Sequence, residues 1–117
     1  MKAKYSFFKN TSYALAGLKR AWQESAFRIE FCIILPLVLF AFFYDFNFYD
    51  RLFLISVLIL ILIVECINTA IECAIDLITK DYALLAKYAK DLASAGVFFS
   101  IVLAVFVWVM ILSKEFL

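Results

Sequence analysis

The sequence LFLISVLILILIV at residues 52–64 continues directly into ECINTAIECAID at residues 65–76, and this stretch decides the fold. Its first half contains one polar residue, Ser56. Its second half places a polar side chain at every third or fourth residue, at Glu65, Asn68, Glu72 and Asp76. Because each residue of an α-helix advances by roughly 100°, these four fall within about 80° of one another. The pattern predicts one long helix that carries a narrow polar seam, made of these four side chains, on an otherwise apolar surface.

The composition of the chain fits a helical membrane protein. Of its 117 residues, 68% are hydrophobic and only 18% are charged, which is far from the average of soluble globular proteins. Two glycines and one proline leave little material for loops. We therefore expect a single domain that is an all-α membrane protein. Since ionisable groups at membrane depth are costly and tend to mark function, we expect the chemistry at the polar seam.

Hydrophobic periodicity divides the chain into four helical segments. In residues 5–26, apolar and basic side chains recur at helical spacing and fall on opposite faces of the predicted helix. This pattern is typical of an amphipathic helix on a membrane surface. Residues 27–44, 51–78 and 92–113 are each apolar and close to the ~20 residues that cross a bilayer. The intervening residues 79–91 are rich in charge and are expected to form a connection.

The basic residues are distributed unequally between the two sides of these three spans. Cytoplasmic segments of membrane proteins carry the excess of lysine and arginine. Only Arg51 and Lys114 would lie on the far side, whereas the other nine basic residues lie before the first span, at its start, or between the second and third. We therefore expect a cytoplasmic N-terminus and a polar seam that opens toward the cytosol.

Several kinds of site are excluded by what the sequence lacks. It contains no histidine, which excludes histidine bases and histidine metal ligands. Gly17 and Gly96 are too far apart for a P-loop or a protein-kinase glycine loop. Cys32, Cys66 and Cys73 form no CxxC pair and are expected to pack as small apolar residues. A net charge of +1 gives no indication of nucleic-acid binding.

Carboxylates and lysines meet at the predicted cytosolic end of the spans. Mg²⁺ favours one or two carboxylates together with substrate phosphates, and phosphoryl transfer depends largely on positioning and charge neutralisation. Glu65 is the deepest carboxylate, where it is suited to take a proton from a hydroxyl. However, an ion pathway, a small proton-coupled transporter or a structural subunit would use buried carboxylates as well. Three spans are also too few to shelter the polar seam from lipid, which favours an oligomer.

Some of these charges also have structural interpretations. Asp91 is a favourable N-cap for the third span. Asp76 has Lys80 four residues ahead, and Glu24 has Arg28 at the same spacing, so each is placed for an ion pair along a helix.

The chain resembles the prokaryotic diacylglycerol kinase family. Residues 65–76 match its pattern E-x-x-N-[ST]-x-I-E-x-x-x-D, and residues 89–95 match A-K-D-x-x-[SAG]-A. Upstream, residues 17–22 and 24–30 are also similar, with an apparent deletion of one residue between them. The likeness covers nearly the whole chain.

The resemblance implies a homotrimer of three-span subunits, each with a surface helix, in the bacterial inner membrane. It implies transfer of the γ-phosphate of Mg-ATP to diacylglycerol, giving phosphatidic acid. A related branch phosphorylates undecaprenol and tends to carry histidine where this chain has Glu30, so Glu30 favours diacylglycerol. Undecaprenol kinase, and a proton-coupled transporter as a different class of protein, remain the alternatives.

The resemblance also assigns roles to residues. Glu65 corresponds to the general base, supported by Asn68, and Glu24 and Glu72 correspond to the metal ligands. The expected ATP contacts are Tyr13, Glu24, Glu72, Asp81, Tyr82, Lys90 and Asp91. The expected lipid contacts are Trp22, Arg28, Glu30, Glu65, Ser94 and Trp108.

The chain departs from the family pattern at two expected nucleotide contacts. Ala83 stands where members often have histidine, and Ser6 stands where some have arginine. A nearby lysine supplies charge but not the bidentate geometry of a guanidinium.

Overall fold

The computed structural model describes residues 6–117, which form four α-helices: α1 (Phe7–Ala21), α2 (Ser25–Phe43), α3 (Phe48–Ile78) and α4 (Leu84–Phe116). Each of α2, α3 and α4 is long and apolar enough to cross a membrane. For the described residues, this confirms the prediction of an all-helical chain with three apolar helices that could span a membrane. Tyr5, the first residue of the predicted surface helix, lies outside the described residues.

Polar side chains mark where two of the helices begin. Before α1, the Ser6 hydroxyl accepts a hydrogen bond from the backbone N–H of Lys9 at 3.4 Å. Before α3, the Asn47 side chain accepts one from the N–H of Asp50 at 2.9 Å. Both residues satisfy a backbone donor that the first turn of a helix leaves without a partner. Pro36 lies inside α2, which nevertheless runs without a break.

The helix α4 begins at Leu84, eight residues before the predicted start at residue 92. The charged segment after α3 is therefore mostly helical, and only residues 79–83 form the connection. Lys87 and Asp91 form an ion pair at i, i+4 spacing, which supports this first part of α4. The interpretation of Asp91 as an N-cap is wrong, because Ala83 occupies that position.

The centre of the fold is α3, which packs against both α4 and α2. Leu54 of α3 and Ala41 of α2 are fully buried between the helices. The indole N–H of Trp108 in α4 donates to the backbone carbonyl of Leu54 at 3.2 Å. Lipid is as apolar as these side chains, so close packing and such polar contacts, rather than hydrophobic burial, hold the helices together.

A polar cluster joins the helices at the end opposite the polar seam. The Lys114 ammonium of α4 contacts the buried carboxylate of Asp50 at 2.6 Å. The Asn47 amide donates to the same carboxylate at 3.1 Å. Arg51 donates to the carbonyl of Ala41 at 3.2 Å and to that of Tyr44 at 2.9 Å, which ties the end of α2 to the start of α3.

Removing the carboxylate of Asp50 is expected to destabilise the helix bundle. The Asp50→Ala variant loses the hydrogen bonds from Lys114 and Asn47, so the free energy of unfolding should fall by about 1–3 kcal/mol. Unfolding in mixed detergent micelles, followed by circular dichroism, measures the change. Asp45→Ala is the matched control, because Asp45 is exposed and lies in the connection just before α3. Equal stability of the two variants would contradict a role of the cluster in holding the bundle.

Candidate functional site

Burial decreases steadily along the polar seam of α3. Glu65 is 4% exposed and Asn68 is 9% exposed, whereas Glu72 is half-buried and Asp76 is exposed. The Asn68 amide donates to the Glu72 carboxylate at 3.3 Å, so adjacent members of the seam are connected. The helix therefore carries one carboxylate deep among the other helices and two others progressively nearer to solvent.

The helix α2 brings a second carboxyl group to the deep end of the seam. Glu30 lies beside Glu65, and the two carboxyl groups are within hydrogen-bonding reach of each other. Among the described residues, one oxygen each of Glu30, Glu65 and Asn68 is buried without a hydrogen-bond partner. Buried polar atoms are almost always paired, so each of these unpaired acceptors indicates a place for a donor.

An apolar groove of about 360 Å³ lies between α2, α3 and α4 and has Glu30 in its wall. The remaining wall consists of aliphatic side chains such as Ile34 and Ile61, together with Trp108. Glu30 is the single charged residue in this lining. The groove can therefore accept a hydrocarbon chain beside Glu30.

A second, polar pocket of about 380 Å³ surrounds the connection between α3 and α4. Four of the predicted ATP contacts line it together: Asp81, Tyr82, Lys90 and Asp91. Lys80 and Lys87 line it as well. The three lysines outnumber the two aspartates of this lining, which suits a ligand that carries negative charge.

Two ion pairs hold the charged side chains around this polar pocket. The ammonium of Lys90 contacts Asp76 at 2.7 Å and thereby joins α4 to α3. Asp76 thus pairs across two helices rather than with Lys80 four residues ahead, as the spacing had suggested. Lys87 contacts Asp91 at 2.5 Å within α4. Both pairs are largely exposed, so a charged ligand can compete for them at low cost.

The junction of α1 and α2 carries other predicted site residues. Glu24 accepts a hydrogen bond from Arg20 at 2.8 Å, and this bond raises the pKa of Arg20 above its ordinary value. Arg28 does not pair with Glu24 as the spacing had suggested. It donates instead to the carbonyl of Trp22 at 2.8 Å and to the Ser25 hydroxyl at 3.4 Å. Trp22 and Arg28 thus meet at the entrance to α2.

The predicted metal ligands are held by different neighbours. Glu24 is bound by Arg20, and Glu72 by Asn68. In residues 6–117, no group of three or more acidic, cysteine or histidine side chains is placed to hold a metal ion. A pair of carboxylates that adds to phosphate oxygens still suits Mg²⁺, which commonly takes most of its ligands from substrate and water.

The other predicted contacts are dispersed. Tyr13 lies on α1 and is about half exposed, and Ser94 is exposed on α4. Trp108 lies in the apolar groove.

Sequence spacing missed the contacts that cross between helices, such as those of Arg20 with Cys73 and of Lys90 with Asp76. The only indication of these contacts in the sequence was that basic residues are concentrated in residues 5–26, which contain Arg20, and in residues 79–91, which contain Lys90.

Comparisons with known proteins give one consistent result. The family model for prokaryotic diacylglycerol kinase matches residues 12–112. The chain is 39% identical over 109 residues to a diacylglycerol kinase of Escherichia coli K12. The aligned residues cover 92% of this chain and 89% of that protein. It is 37% identical over 103 residues to a diacylglycerol kinase of Pseudomonas aeruginosa, with 87% and 84% covered. It is 35% identical over 102 residues to one of Helicobacter pylori J99, with 86% and 80% covered.

These matches extend over both segments on which the resemblance was based, namely residues 65–76 and 89–95. They confirm the predicted family and the predicted class of enzyme, a kinase. The chain therefore belongs to the prokaryotic diacylglycerol kinase family.

Proposed function

We propose that the protein is a lipid kinase that transfers the γ-phosphate of Mg-ATP to the hydroxyl of diacylglycerol and produces phosphatidic acid. The observation that carries this proposal is the buried Glu65 carboxylate, which has an oxygen without a partner. The neighbouring Glu30 connects this position to the apolar groove. The polar pocket at the α3–α4 connection provides a place for the nucleotide.

The lipid is proposed to bind with an acyl chain in the apolar groove and its head group at Glu30 and Glu65. Ligand sites of this kind are lined mostly by apolar side chains with a few placed polar groups, as this groove is. Trp108 contributes to the groove wall. Trp22, Arg28 and Ser94 are proposed to border the glycerol part of the head group.

Glu65 is the proposed general base. Its carboxylate takes the proton of the lipid hydroxyl while the hydroxyl oxygen forms a bond to the γ-phosphorus. The bond between the γ-phosphorus and the bridging oxygen breaks, and ADP leaves with that electron pair. Asn68 is proposed to support the base from one helical turn away, and its hydrogen bond to Glu72 holds its amide in one orientation.

The nucleotide is proposed to bind in the polar pocket, with Lys90 at its phosphates and Asp81 and Tyr82 toward the nucleoside. Tyr13 and Asp91 are proposed as further contacts, and Ala83 supplies no polar side chain there. Glu24 and Glu72 would hold Mg²⁺, which neutralises charge on the phosphates when bound. Since Lys90 is paired with Asp76 in this structure, nucleotide binding would loosen or extend that ion pair.

The proposed setting is the bacterial inner membrane, with the N-terminus in the cytoplasm. Nine of the eleven basic residues would then lie on the cytosolic side, together with the polar pocket. A homotrimer is proposed as the active assembly. Each subunit leaves much of α4 exposed, for example Phe98 and Phe106, and three helices alone shelter the polar seam incompletely.

Two alternatives remain compatible with the same carboxylates. An undecaprenol kinase would use the same groove with a longer isoprenoid chain. A proton-coupled transporter would use Glu65 as a proton carrier, and it would move its ligand in sealed vesicles without ATP.

Glu65→Gln tests the proposed base. Because the amide cannot accept the hydroxyl proton, kcat should fall by about 10²–10⁴-fold, while the oligomer on size-exclusion chromatography stays the same. Purified protein in mixed micelles with diacylglycerol and Mg-ATP provides the assay. Glu115→Gln, at an exposed position in the last turn of α4, is the matched control and should keep full activity. Turnover of the Glu65→Gln variant at the rate of the control would refute the assignment.

Lys90→Met tests the proposed nucleotide pocket. Loss of the ammonium beside the phosphates should lower kcat/KM for ATP by at least about tenfold, which corresponds to roughly 1.4 kcal/mol. Initial rates over a range of ATP concentrations at saturating lipid give this ratio. Lys19→Met, an exposed position on α1, serves as the control. An unchanged kcat/KM for ATP in Lys90→Met would show that the phosphates do not bind beside Lys90.

Competition between lipids tests the proposed substrate. With diacylglycerol and undecaprenol at equal concentration in the same micelles and labelled ATP, most of the label should appear in phosphatidic acid. Thin-layer chromatography separates the two products. Predominant labelling of undecaprenyl phosphate would favour the other branch of the family, and transport without ATP would favour the third alternative.

A further inference from the structure

The carboxyl groups of Glu30 and Glu65 form a pair between two helices. Glu65 projects from the centre of α3 and is 4% exposed, and Glu30 projects from α2 into the wall of the apolar groove. The two groups are within hydrogen-bonding reach, and each has one buried oxygen without a partner. A carboxylate has only acceptors, so two ionised carboxylates in this position could not form a hydrogen bond with each other.

No cation among residues 6–117 forms an ion pair or hydrogen bond with either carboxyl group. The basic groups on the neighbouring helices have other partners: Arg20 of α1 binds Glu24, Arg28 of α2 binds the Trp22 carbonyl, and Lys90 of α4 binds Asp76. On α3 itself, the groups nearest to Glu65 are the Cys66 thiol and, through Asn68, the Glu72 carboxylate.

Two negative charges in contact inside an apolar bundle repel strongly, and both lose their hydration. In other buried pairs of carboxyl groups, a single proton held between them removes the repulsion and supplies the missing hydrogen bond. Such a proton would also satisfy one of the buried oxygens that otherwise lack a partner.

We propose that Glu30 and Glu65 share one proton, which resides mainly on Glu30, and that Glu30 thereby acts as the positioning residue for an ionised Glu65. The preference rests on the proposed role of Glu65, because a base must be ionised before it can take the proton of the lipid hydroxyl. The shared proton therefore belongs to Glu30, whose O–H donates to the Glu65 carboxylate.

The shared proton prepares Glu65 for its proposed role, on which this part of the inference rests. The O–H of Glu30 donates a hydrogen bond to one carboxylate oxygen of Glu65. The other carboxylate oxygen is then directed toward the substrate. During transfer, the lipid hydroxyl gives its proton to Glu65 as its oxygen bonds to phosphorus and ADP departs. The pair then holds two protons, one of which returns to water after the products have left.

The protonation state can be measured without any turnover. Infrared spectra of protein labelled with ¹³C-glutamate, recorded in lipid at neutral pH without ATP, should show the carbonyl band of one protonated glutamic acid per chain. Glu30→Gln should remove this band, because the remaining Glu65 is ionised and accepts a hydrogen bond from the glutamine amide. Glu115→Gln should leave it unchanged. A spectrum of the original protein without the band, or a full band in Glu30→Gln, would overturn the proposal.

Kinetics test the positioning role. Glu30→Leu should lower kcat at least about tenfold further than Glu30→Gln, since the glutamine amide still donates to Glu65 and leucine does not. Equal kcat values for the two variants would contradict the positioning role.

The two measurements separate the failure of this inference from the failure of the proposed function. If Glu65→Gln keeps its activity while the infrared band behaves as expected, the proton is shared but Glu65 is not the base. If Glu65→Gln is inactive and the band is absent, Glu65 is the base and Glu30 does not hold a proton for it.

Discussion

The proposed chemistry of this protein depends on the burial of the Glu65 side chain at the centre of an apolar helix. An ionisable group at that depth is costly, and no basic side chain among residues 6–117 pairs with it. Asn68 and Glu72 continue the polar seam toward solvent on the same helix, and Glu30 approaches from α2. The packing of α2 and α4 against α3 creates the apolar groove, which has Glu30 in its wall.

The two pockets lie on different parts of the same scaffold, as transfer between a lipid and a nucleotide requires. The apolar groove opens between the spans and holds one charged residue, whereas the polar pocket lies where α3 ends and α4 begins. The ion pair between Asp76 and Lys90 joins the two helices at this point. At the opposite end, the contact of Lys114 with Asp50 joins the same helices. Ion pairs therefore hold α3 and α4 together at both ends, and side-chain packing holds the two helices together in the middle.

The sequence was sufficient to predict features that depend on residues near one another in the chain. The spacing from Glu65 to Asp76 predicted the polar seam, and its burial in the structure decreases in the predicted order. The sequence did not reveal contacts between helices, because spacing reports only which residues share one helix face. Asp76 therefore binds Lys90 rather than Lys80, and Asp91 lies inside α4 because helical pairing with Lys87 extended that helix.

The proposed activity of this chain is the transfer of the γ-phosphate of ATP to a lipid hydroxyl. The most direct test mixes purified protein, diacylglycerol micelles, Mg²⁺ and ATP labelled at the γ-phosphorus, and follows the label over a single turnover. We expect the label to pass into phosphatidic acid in step with the formation of ADP. Release of the label as inorganic phosphate, with no labelled lipid, would contradict it.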